Sequence, residues 1–298
     1  MNAANRVQGE HKQYDRNHKG SVLELWLSSK KSAHQIEVKS VFQMPFFNEI
    51  FLKFHYDIKL SGSDVHIWLF SLDMKSDLLN TSLLTLSADE QDRAKKFKFD
   101  IDRDRYVTGR FFLRQCLSRY LQIPSNVLRF NYGPTGKPAL KKEFNEDGIE
   151  FNLAHSDNLA LLAITKAGVI GADIELLRPI PNMVELIKEF SSFEEFKIFQ
   201  TLPTEYRVDA FFRLWTRKEA FLKATGDGIG HLLRKISMSF SQNEQIDIIK
   251  IDGCISDTKM WRLHDLSITG YFGAAIAVKS LKPINVFLYR SNIEQLTC

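Results

Sequence analysis

The sequence has few cysteines, no long apolar run and only a small excess of positive charge. Its three cysteines, Cys116, Cys254 and Cys298, are far apart and odd in number, which excludes a disulfide framework and favours a reducing compartment. No apolar run reaches the roughly 18 residues of a membrane span, and the polar N-terminus carries no export signal. The net charge of +4 is weak for a nucleic-acid binder, although it suits an anionic ligand or an acidic partner. We therefore expect a cytoplasmic protein that binds neither nucleic acid nor membrane.

Two common catalytic motifs are also missing. The turn around Gly136 and Lys137 lacks the G-x-x-x-x-G-K-[ST] pattern of a P-loop. The neighbouring His155 and Ser156 could suggest a hydrolase, but no G-x-S-x-G nucleophile elbow surrounds them. The sequence therefore carries neither a P-loop nor a nucleophile-elbow signature.

The order of predicted elements indicates an α+β fold. Residues 1–60 differ from the rest and form an N-terminal extension that we expect to be partly disordered. After a break at Ser61-Gly62-Ser63, helices followed by strands occur twice, which divides the chain into a first half, 61–168, and a second half, 169–290. We expect mostly antiparallel sheets, although no sequence repeat proves that the halves are duplicates.

A helix is predicted from about Thr204 to Thr225, with Gly226 at its end. It carries an apolar stripe that includes Phe211, Phe212 and Trp215. Glu219 and Lys223 are four residues apart and so share a face of this helix. They could form an ordinary exposed ion pair, or they could border a buried site, where an acid and a base are costly unless they are used.

Two carboxylates lie near the end of one predicted strand, Val169 to Leu176. Asp173 and Glu175 are two residues apart and therefore point to the same side. They could lie on a solvent-facing side of the sheet. If Glu219 reaches the same place, the three carboxylates would instead form a Mg2+ site, which usually implies a phosphate-containing ligand.

Further candidates are basic or polar. His155 and Ser156 end a strand, Lys137 and Pro138 lie in a rigid turn, and Arg93 lies on a short basic helix opened by the capping box Ser87-Ala88-Asp89-Glu90. His155 could contact a phosphate or be structural. Lys137 and Arg93 could contact a phosphate or simply be solvated.

Together, four ordered motifs resemble those of the 4′-phosphopantetheinyl transferases of the long, surfactin-synthetase-activating type, and most closely the cyanobacterial members. The motifs are Gly136-Lys137-Pro138, Phe151-Asn152-Leu153-Ala154-His155-Ser156, Gly171-Ala172-Asp173-Ile174-Glu175 and the run from Trp215 to Lys223. The resemblance covers roughly residues 64–280. It implies a monomeric pseudo-dimer of two similar α+β halves, with coenzyme A and either Mg2+ or Mn2+ in the cleft between them.

The resemblance also implies an activity and a set of roles. These enzymes transfer phosphopantetheine from coenzyme A to a serine of an apo carrier protein and release 3′,5′-ADP. Residues that match the family's motifs are Asp173, Glu175 and Glu219 as metal ligands, Glu219 also as general base, and Lys223 as the group assisting the leaving nucleotide. Asp173, Glu219 and Lys223 form the expected catalytic set. The expected coenzyme A contacts are Arg93, Lys137, Pro138, His155 and Ser156.

The sequence departs from the family where Ala172 replaces a bulkier aliphatic residue and where Ala154 replaces a common serine. Ala172 should point away from the carboxylates, so replacing it with Ile should leave activity intact. The partner could be the acyl carrier protein or a carrier domain of a polyketide, nonribosomal-peptide or fatty-acid synthase. Two other functions stay open: a non-catalytic coenzyme A or carrier-binding module, and an unrelated Mg2+-dependent phosphohydrolase.

Overall fold

The computed structural model describes residues 58–226, 232–239, 248–251, 258–268 and 271–291. All of them belong to one compact unit of the chain, Phe42–Cys298. Of the predicted N-terminal extension, only residues 58–60 are described, so the prediction made for it falls outside the described residues. Within the described ranges, every helix is too short or too polar to cross a membrane.

The first half contains three α-helices and five strands. It begins with strand β1 (Asp64–Ser71), and helices α1 (Ser76–Thr85), α2 (Ala88–Ala94) and α3 (Asp100–Leu121) follow. The remaining strands are β2 (Phe130–Tyr132), β3 (Pro138–Leu140), β4 (Glu150–Ser156) and β5 (Leu159–Thr165). The predicted capping box is confirmed, because Glu90 Oε2 accepts from the backbone N–H of Ser87 at 3.0 Å.

The second half begins with strand β6 (Ile170–Leu176), and helices α4 (Met183–Phe190), α5 (Phe193–Thr201) and α6 (Thr204–Thr225) follow. Its described strands are β7 (Ile236–Met238), β8 (Ile248–Ile251), β9 (Trp261–Asp265), β10 (Phe272–Lys279) and β11 (Asn285–Ser291). The predicted bounds of α6 are confirmed, and Gly226 ends the helix with a φ of 80°. This left-handed conformation costs glycine little because glycine lacks a Cβ.

Two sheets dominate the architecture. One has the strand order β11-β1-β5-β4 and the other the order β6-β10-β9. The pairings in both are antiparallel except for β1 with β11, which run parallel. The last described strand of the chain therefore completes the sheet of the first half. The predicted division at residues 168 and 169 stays a prediction.

The layers follow the order helix, sheet, sheet, helix. Alternate residues of β1 enter two different cores, because successive side chains of a strand point to opposite faces. Trp68 and Phe70 pack in a core shared with α3, whereas Ile67 and Leu69 pack between the two sheets. Helix α6 covers the outer face of β6 and β10. The α+β class is confirmed, with one long helix on the outside of each sheet.

Strand β6 also has two different faces. Ala172 and Ile174 are buried between the sheets. Asp173 and Glu175, at the alternate positions, are directed toward α6. The sheet thus delivers apolar side chains to the core and carboxylates to the helix that carries Glu219 and Lys223.

Candidate active site

Helix α6 lies in direct contact with β6 at Gly171. A Cβ atom at this position would lie 2.0 Å from the carbonyl oxygen of Ala220 and 2.3 Å from the backbone nitrogen of Ala224. Both atoms belong to the helix backbone, so no side-chain movement could make room. Only glycine permits this approach, and it brings the strand's next outward-facing residue, Asp173, against the helix.

The centre of the site is the ion pair between Lys223 and Asp173. Lys223 Nζ lies 2.6 Å from Asp173 Oδ1. Burial alone would lower the pKa of Lys223, but the carboxylates of Asp173, Glu219 and Glu175 raise it above its usual value. The ammonium group is therefore charged at neutral pH. Asp173 and Glu219 are each only 4% exposed, which excludes the reading of Glu219 and Lys223 as an ordinary surface pair.

Two side chains hold the carboxylate of Glu175. Trp215 Nε1 on α6 donates to Glu175 Oε1 at 3.2 Å, and Ser156 Oγ at the end of β4 donates to Glu175 Oε2 at 3.1 Å. Ser156 Oγ also accepts from the backbone N–H of Leu176 at 3.0 Å. Strand β4, strand β6 and helix α6 are thus joined at one carboxylate, and its orientation is set from two sides.

His155 lies at the same end of β4 but points to the opposite face. Its ring reaches solvent, yet the surrounding atoms desolvate it, and together with the cations of Lys223 and Arg105 they lower the pKa of the imidazole. The carboxylates of Glu175 and Asp102 act in the other direction. His155 therefore borders the site from the side of α3, and in the free protein its ring is neutral at neutral pH.

The Gly136-Lys137-Pro138 turn reaches the site through the side chain of Lys137, which bonds to the backbone of β6 and α6. Lys137 Nζ donates to the carbonyl oxygens of Ile170 and Lys223, each at 2.8 Å. Pro138, the next residue, begins β3 and is half-buried. Neither reading made from the sequence, a solvated lysine or a phosphate contact, included these bonds.

Arg93 lies on the protein surface. It is exposed on α2, with its guanidinium carbon 5.5 Å from the centre of the Tyr106 ring on α3. This contact does not connect Arg93 to the site, so its role stays a prediction from the sequence. The structure brings together seven of the predicted residues: Asp173, Glu175, Glu219, Lys223, His155, Ser156 and Lys137.

The carboxylates suit a metal ion by their chemistry. In the described part of the chain, no group of three His, Cys, Asp or Glu side chains is already arranged to hold one. Asp173, Glu175 and Glu219 nevertheless offer oxygen donors alone, which is the donor type that Mg2+ and Mn2+ take. The residues present fit the ion, provided that Lys223 moves from Asp173 or shares it.

Comparisons with known proteins identify the family. Residues 169–277 match a family model described as the 4′-phosphopantetheinyl transferase superfamily, and residues 74–167 match one described as 4′-phosphopantetheinyl transferase, N-terminal. The protein HetI of Nostoc sp., named a 4′-phosphopantetheinyl transferase, is 37% identical over 211 residues, covering 67% of this chain and 89% of HetI. The chain belongs to the 4′-phosphopantetheinyl transferase superfamily.

Other members of the superfamily match over similar lengths. The protein slr0495 of Synechocystis sp. is 35% identical over 197 residues, which cover 66% of this chain and 77% of slr0495. The 4′-phosphopantetheinyl transferase Sfp of Bacillus subtilis is 28% identical over 163 residues, which cover 55% of this chain and 70% of Sfp. The resemblance to cyanobacterial members and the class of enzyme are thereby confirmed. The roles of individual site residues stay predictions.

Sequence reasoning missed the supporting residues of this phosphopantetheinyl transferase. Trp215 was expected on the same side of α6 as Glu219, but as an apolar residue, and its hydrogen bond to Glu175 was not predicted. Gly171, an isolated glycine inside a strand pattern, signals a close backbone approach. Arg105 carried no signal of its own, because several arginines follow one another along α3.

Proposed function

We propose that this chain transfers the 4′-phosphopantetheine group of coenzyme A to a serine of an apo carrier protein and releases 3′,5′-ADP. The observation that carries the proposal is the contact of β6 with α6, which sets Lys223 against Asp173 and within the field of Glu175 and Glu219. Three of the four motifs contribute side chains that surround this contact. The fourth contributes Lys137, whose side chain bonds to the backbone of both elements. A charged ammonium group among carboxylates suits a reaction in which a phosphate leaves.

The proposed reaction is a displacement at phosphorus. The serine Oγ forms a bond to the phosphorus that carries pantetheine, while the bond from this phosphorus to the oxygen bridging to the ADP part breaks. Glu219 accepts the serine proton, because a carboxylate within hydrogen-bond reach can act as general base. The leaving phosphate takes the electron pair, and Lys223 offsets its charge or donates a proton to it.

We assign the metal to the carboxylates of the same site. Asp173, Glu175 and Glu219 would hold Mg2+, or Mn2+ in its place, and the bound ion would neutralise charge on the pyrophosphate oxygens. Trp215 and Ser156 orient Glu175 for this task. Lys223, whose ammonium lies on Asp173, keeps the carboxylates together before an ion is bound.

We further propose that the natural partner is an acyl carrier protein or a carrier domain of a polyketide, nonribosomal-peptide or fatty-acid synthase. The chain's net charge of +4 suits an acidic partner surface, since opposite charge favours encounter. Coenzyme A contacts from His155, Ser156, Lys137, Pro138 and Arg93 stay predictions. The same applies to the cytoplasmic location and the monomeric state.

The experiment is an intact-mass measurement on the carrier. Full-length protein is incubated with coenzyme A, Mg2+ and a panel of apo carrier proteins of the three synthase classes. A mass gain of one phosphopantetheine on the carrier serine supports the proposal, and a carrier with that serine changed to alanine is the control. A folded protein that modifies no carrier in the panel, with or without Mn2+ in place of Mg2+, would count against it.

The same experiment separates the alternatives. A non-catalytic binding module would bind coenzyme A or carrier and leave both unchanged. A phosphohydrolase would release free phosphopantetheine in the absence of any carrier. The burial of Asp173 and Glu219 beside Lys223 disfavours a pure binding module, because burying ionised groups is costly and a binder has no use for them.

A further inference from the structure

Lys137 is bonded to the backbone of two elements that are distant in sequence. Its Nζ donates at 2.8 Å to the carbonyl of Ile170, 33 residues away in β6, and at 2.8 Å to the carbonyl of Lys223, 86 residues away in α6. These are the two elements that carry the site's carboxylates and its ammonium group. The side chain of Lys137, in the first half, therefore joins β6 and α6, which both belong to the second half.

The two acceptors lie where an anchor has most effect. The Lys223 carbonyl belongs to the last turn of α6, where carbonyls lack intrahelical partners and a cation is favoured. The Ile170 carbonyl belongs to the first residue of β6, directly before Gly171. A Cβ at Gly171 would come within 2.9 Å of the Lys223 carbonyl carbon, so both bonds lie at the closest contact of strand and helix.

The turn that carries Lys137 is itself held tightly. The backbone N–H of Gly133 donates to the Lys137 carbonyl at 3.0 Å, and the N–H of Gly136 donates to the Gly133 carbonyl at 2.9 Å. Gly136 adopts a φ of 81°, and Pro138 fixes the backbone on the other side. The ammonium group thus extends from a rigid base, which suits an anchor better than a mobile contact.

We propose that Lys137 is a positioning residue of the transfer reaction. It clamps the last turn of α6 to the start of β6 and so sets Lys223 Nζ against the Asp173 carboxylate. The inference rests on the proposed function, because it concerns the step in which Lys223 assists the leaving phosphate. It assigns the side chain of Lys137 to the backbone of Lys223 rather than to the nucleotide end of coenzyme A.

The test separates binding from turnover in Lys137→Met, which keeps the stem and removes the donors. We expect kcat to fall about tenfold, since a small misplacement of a catalytic group slows the chemical step. The dissociation constant of coenzyme A, measured by calorimetry, should stay within about twofold of wild type. Lys142→Met, at an exposed lysine shortly after the same hairpin, is the matched control and should change neither quantity. A dissociation constant raised tenfold with kcat unchanged would overturn the proposal.

Lys137→Arg covers the case in which the methionine variant does not fold. Arginine keeps the charge and would serve a phosphate contact well, but its longer side chain and planar guanidinium do not reproduce the position of the lysine Nζ at 2.8 Å from both carbonyls. A reduced kcat with unchanged coenzyme A affinity in this variant supports the clamp. Wild-type kcat in Lys137→Arg would contradict it.

A double-mutant cycle with Lys223→Met completes the test. If Lys137 acts through Lys223, then Lys137→Met should reduce kcat in the wild-type background and cause little further loss in the Lys223→Met background. Independent effects, which multiply in the double variant, would overturn the inference. Failure of the proposed function is distinguishable, since in that case the wild-type protein itself would transfer nothing.

Discussion

The two long helices of the molecule, α3 and α6, each cover one sheet and each bury charge, but they do so with opposite balance. On α3, Arg110 and Arg114 lie against the single carboxylate of Glu90, which gives two cations to one anion. On α6, Lys223 lies among the carboxylates of Asp173, Glu175 and Glu219, which gives one cation to three anions.

The two clusters also differ in access to solvent. Arg114 is fully buried and donates to Glu90, to Ser87 Oγ and to the carbonyls of Ser125 and Leu128. The side chain of Lys223 is 33% exposed. The first cluster is closed and fixes a fold, whereas the second is open and carries excess negative charge that a cation from solution can offset. Burial of charge alone therefore does not mark a reactive site.

The largest expected effect concerns the open cluster. Glu219→Gln and Asp173→Ala should each reduce carrier modification by about 10³-fold or more, within the range that general-base and electrostatic groups contribute. Thermal unfolding should change little, because the excess negative charge is relieved. Intact mass of the carrier and the melting temperature measure the two quantities. Full activity in either variant would show that the site is assigned to the wrong residues.

The closed cluster should respond in the opposite way. Arg114→Met leaves the Glu90 carboxylate short of a partner in a buried place, and should lower the free energy of unfolding by about 3–5 kcal/mol. Activity per folded molecule should stay near wild type. Arg103→Met, at a more exposed arginine of the same helix, is the control and should cost about 1 kcal/mol or less. Urea unfolding measures the free energies of both variants. A loss of activity in Arg114→Met without a loss of stability would show that the closed cluster does not serve the fold alone.

Gly171 tests whether the open cluster depends on the close approach of strand and helix. Gly171→Ala should push α6 away from β6 and lower kcat by about 10- to 100-fold, because a shift near 1 Å is enough for such a loss. Gly273→Ala on the neighbouring strand is the matched control, since a Cβ there would meet its nearest atoms at an ordinary 3.6 Å. Equal kcat values for the two variants would argue that the contact at Gly171 does not position the site.

Trp215→Phe removes the indole donor to Glu175 and keeps an aromatic ring. We expect about a tenfold higher Mg2+ concentration for half-maximal activity, in line with other losses of groups that orient metal ligands. Binding of Mn2+, followed by its spin resonance signal, should weaken in parallel. Trp261→Phe, at a tryptophan that packs on Phe221 of the same helix, should leave both unchanged. Unaltered metal dependence in Trp215→Phe would place its role in packing alone.

The smallest effect should appear in the pH dependence of coenzyme A binding. The pKa of His155 lies below its usual value in the free protein, so a phosphate that favours the imidazolium must raise it on binding. Affinity should then increase as the pH falls through the bound-state pKa, and should level off below the free-state pKa. Calorimetry near neutral pH in buffers of different ionisation enthalpy should show proton uptake in wild type and less in His155→Gln. Equal uptake would rule out this contact.

Much of the fold and of the candidate site could be predicted from the sequence, wherever the pattern of side chains carries the signal. The bounds of α6, the capping box at Ser87 and the common face of Asp173 and Glu175 follow from periodicity and local hydrogen-bonding chemistry. Helix α1 was not predicted, because its Ser, Thr and Asn residues favour caps and turns over helix interiors.

What could not be predicted involves backbone partners and distant pairs. Lys137 bonds to two carbonyls, and every residue supplies a carbonyl, so no sequence pattern distinguishes these acceptors. Ala172 was expected to point away from the carboxylates and does so, but it is completely buried. Replacing it with Ile therefore carries an overpacking cost of about 1–3 kcal/mol that the sequence alone did not reveal.

The parallel pairing of β1 with β11 has a consequence for how the protein is made. Asn285 and Asp64 meet across 221 residues of sequence, so one neighbour of β1 is synthesised long after β1 itself. Until then β1 presents an open backbone edge, which is a site of unwanted strand pairing. The first sheet closes only when nearly the whole second half has been synthesised. A chain truncated before residue 285 would therefore lack its edge strand, even with every residue of the candidate site in place.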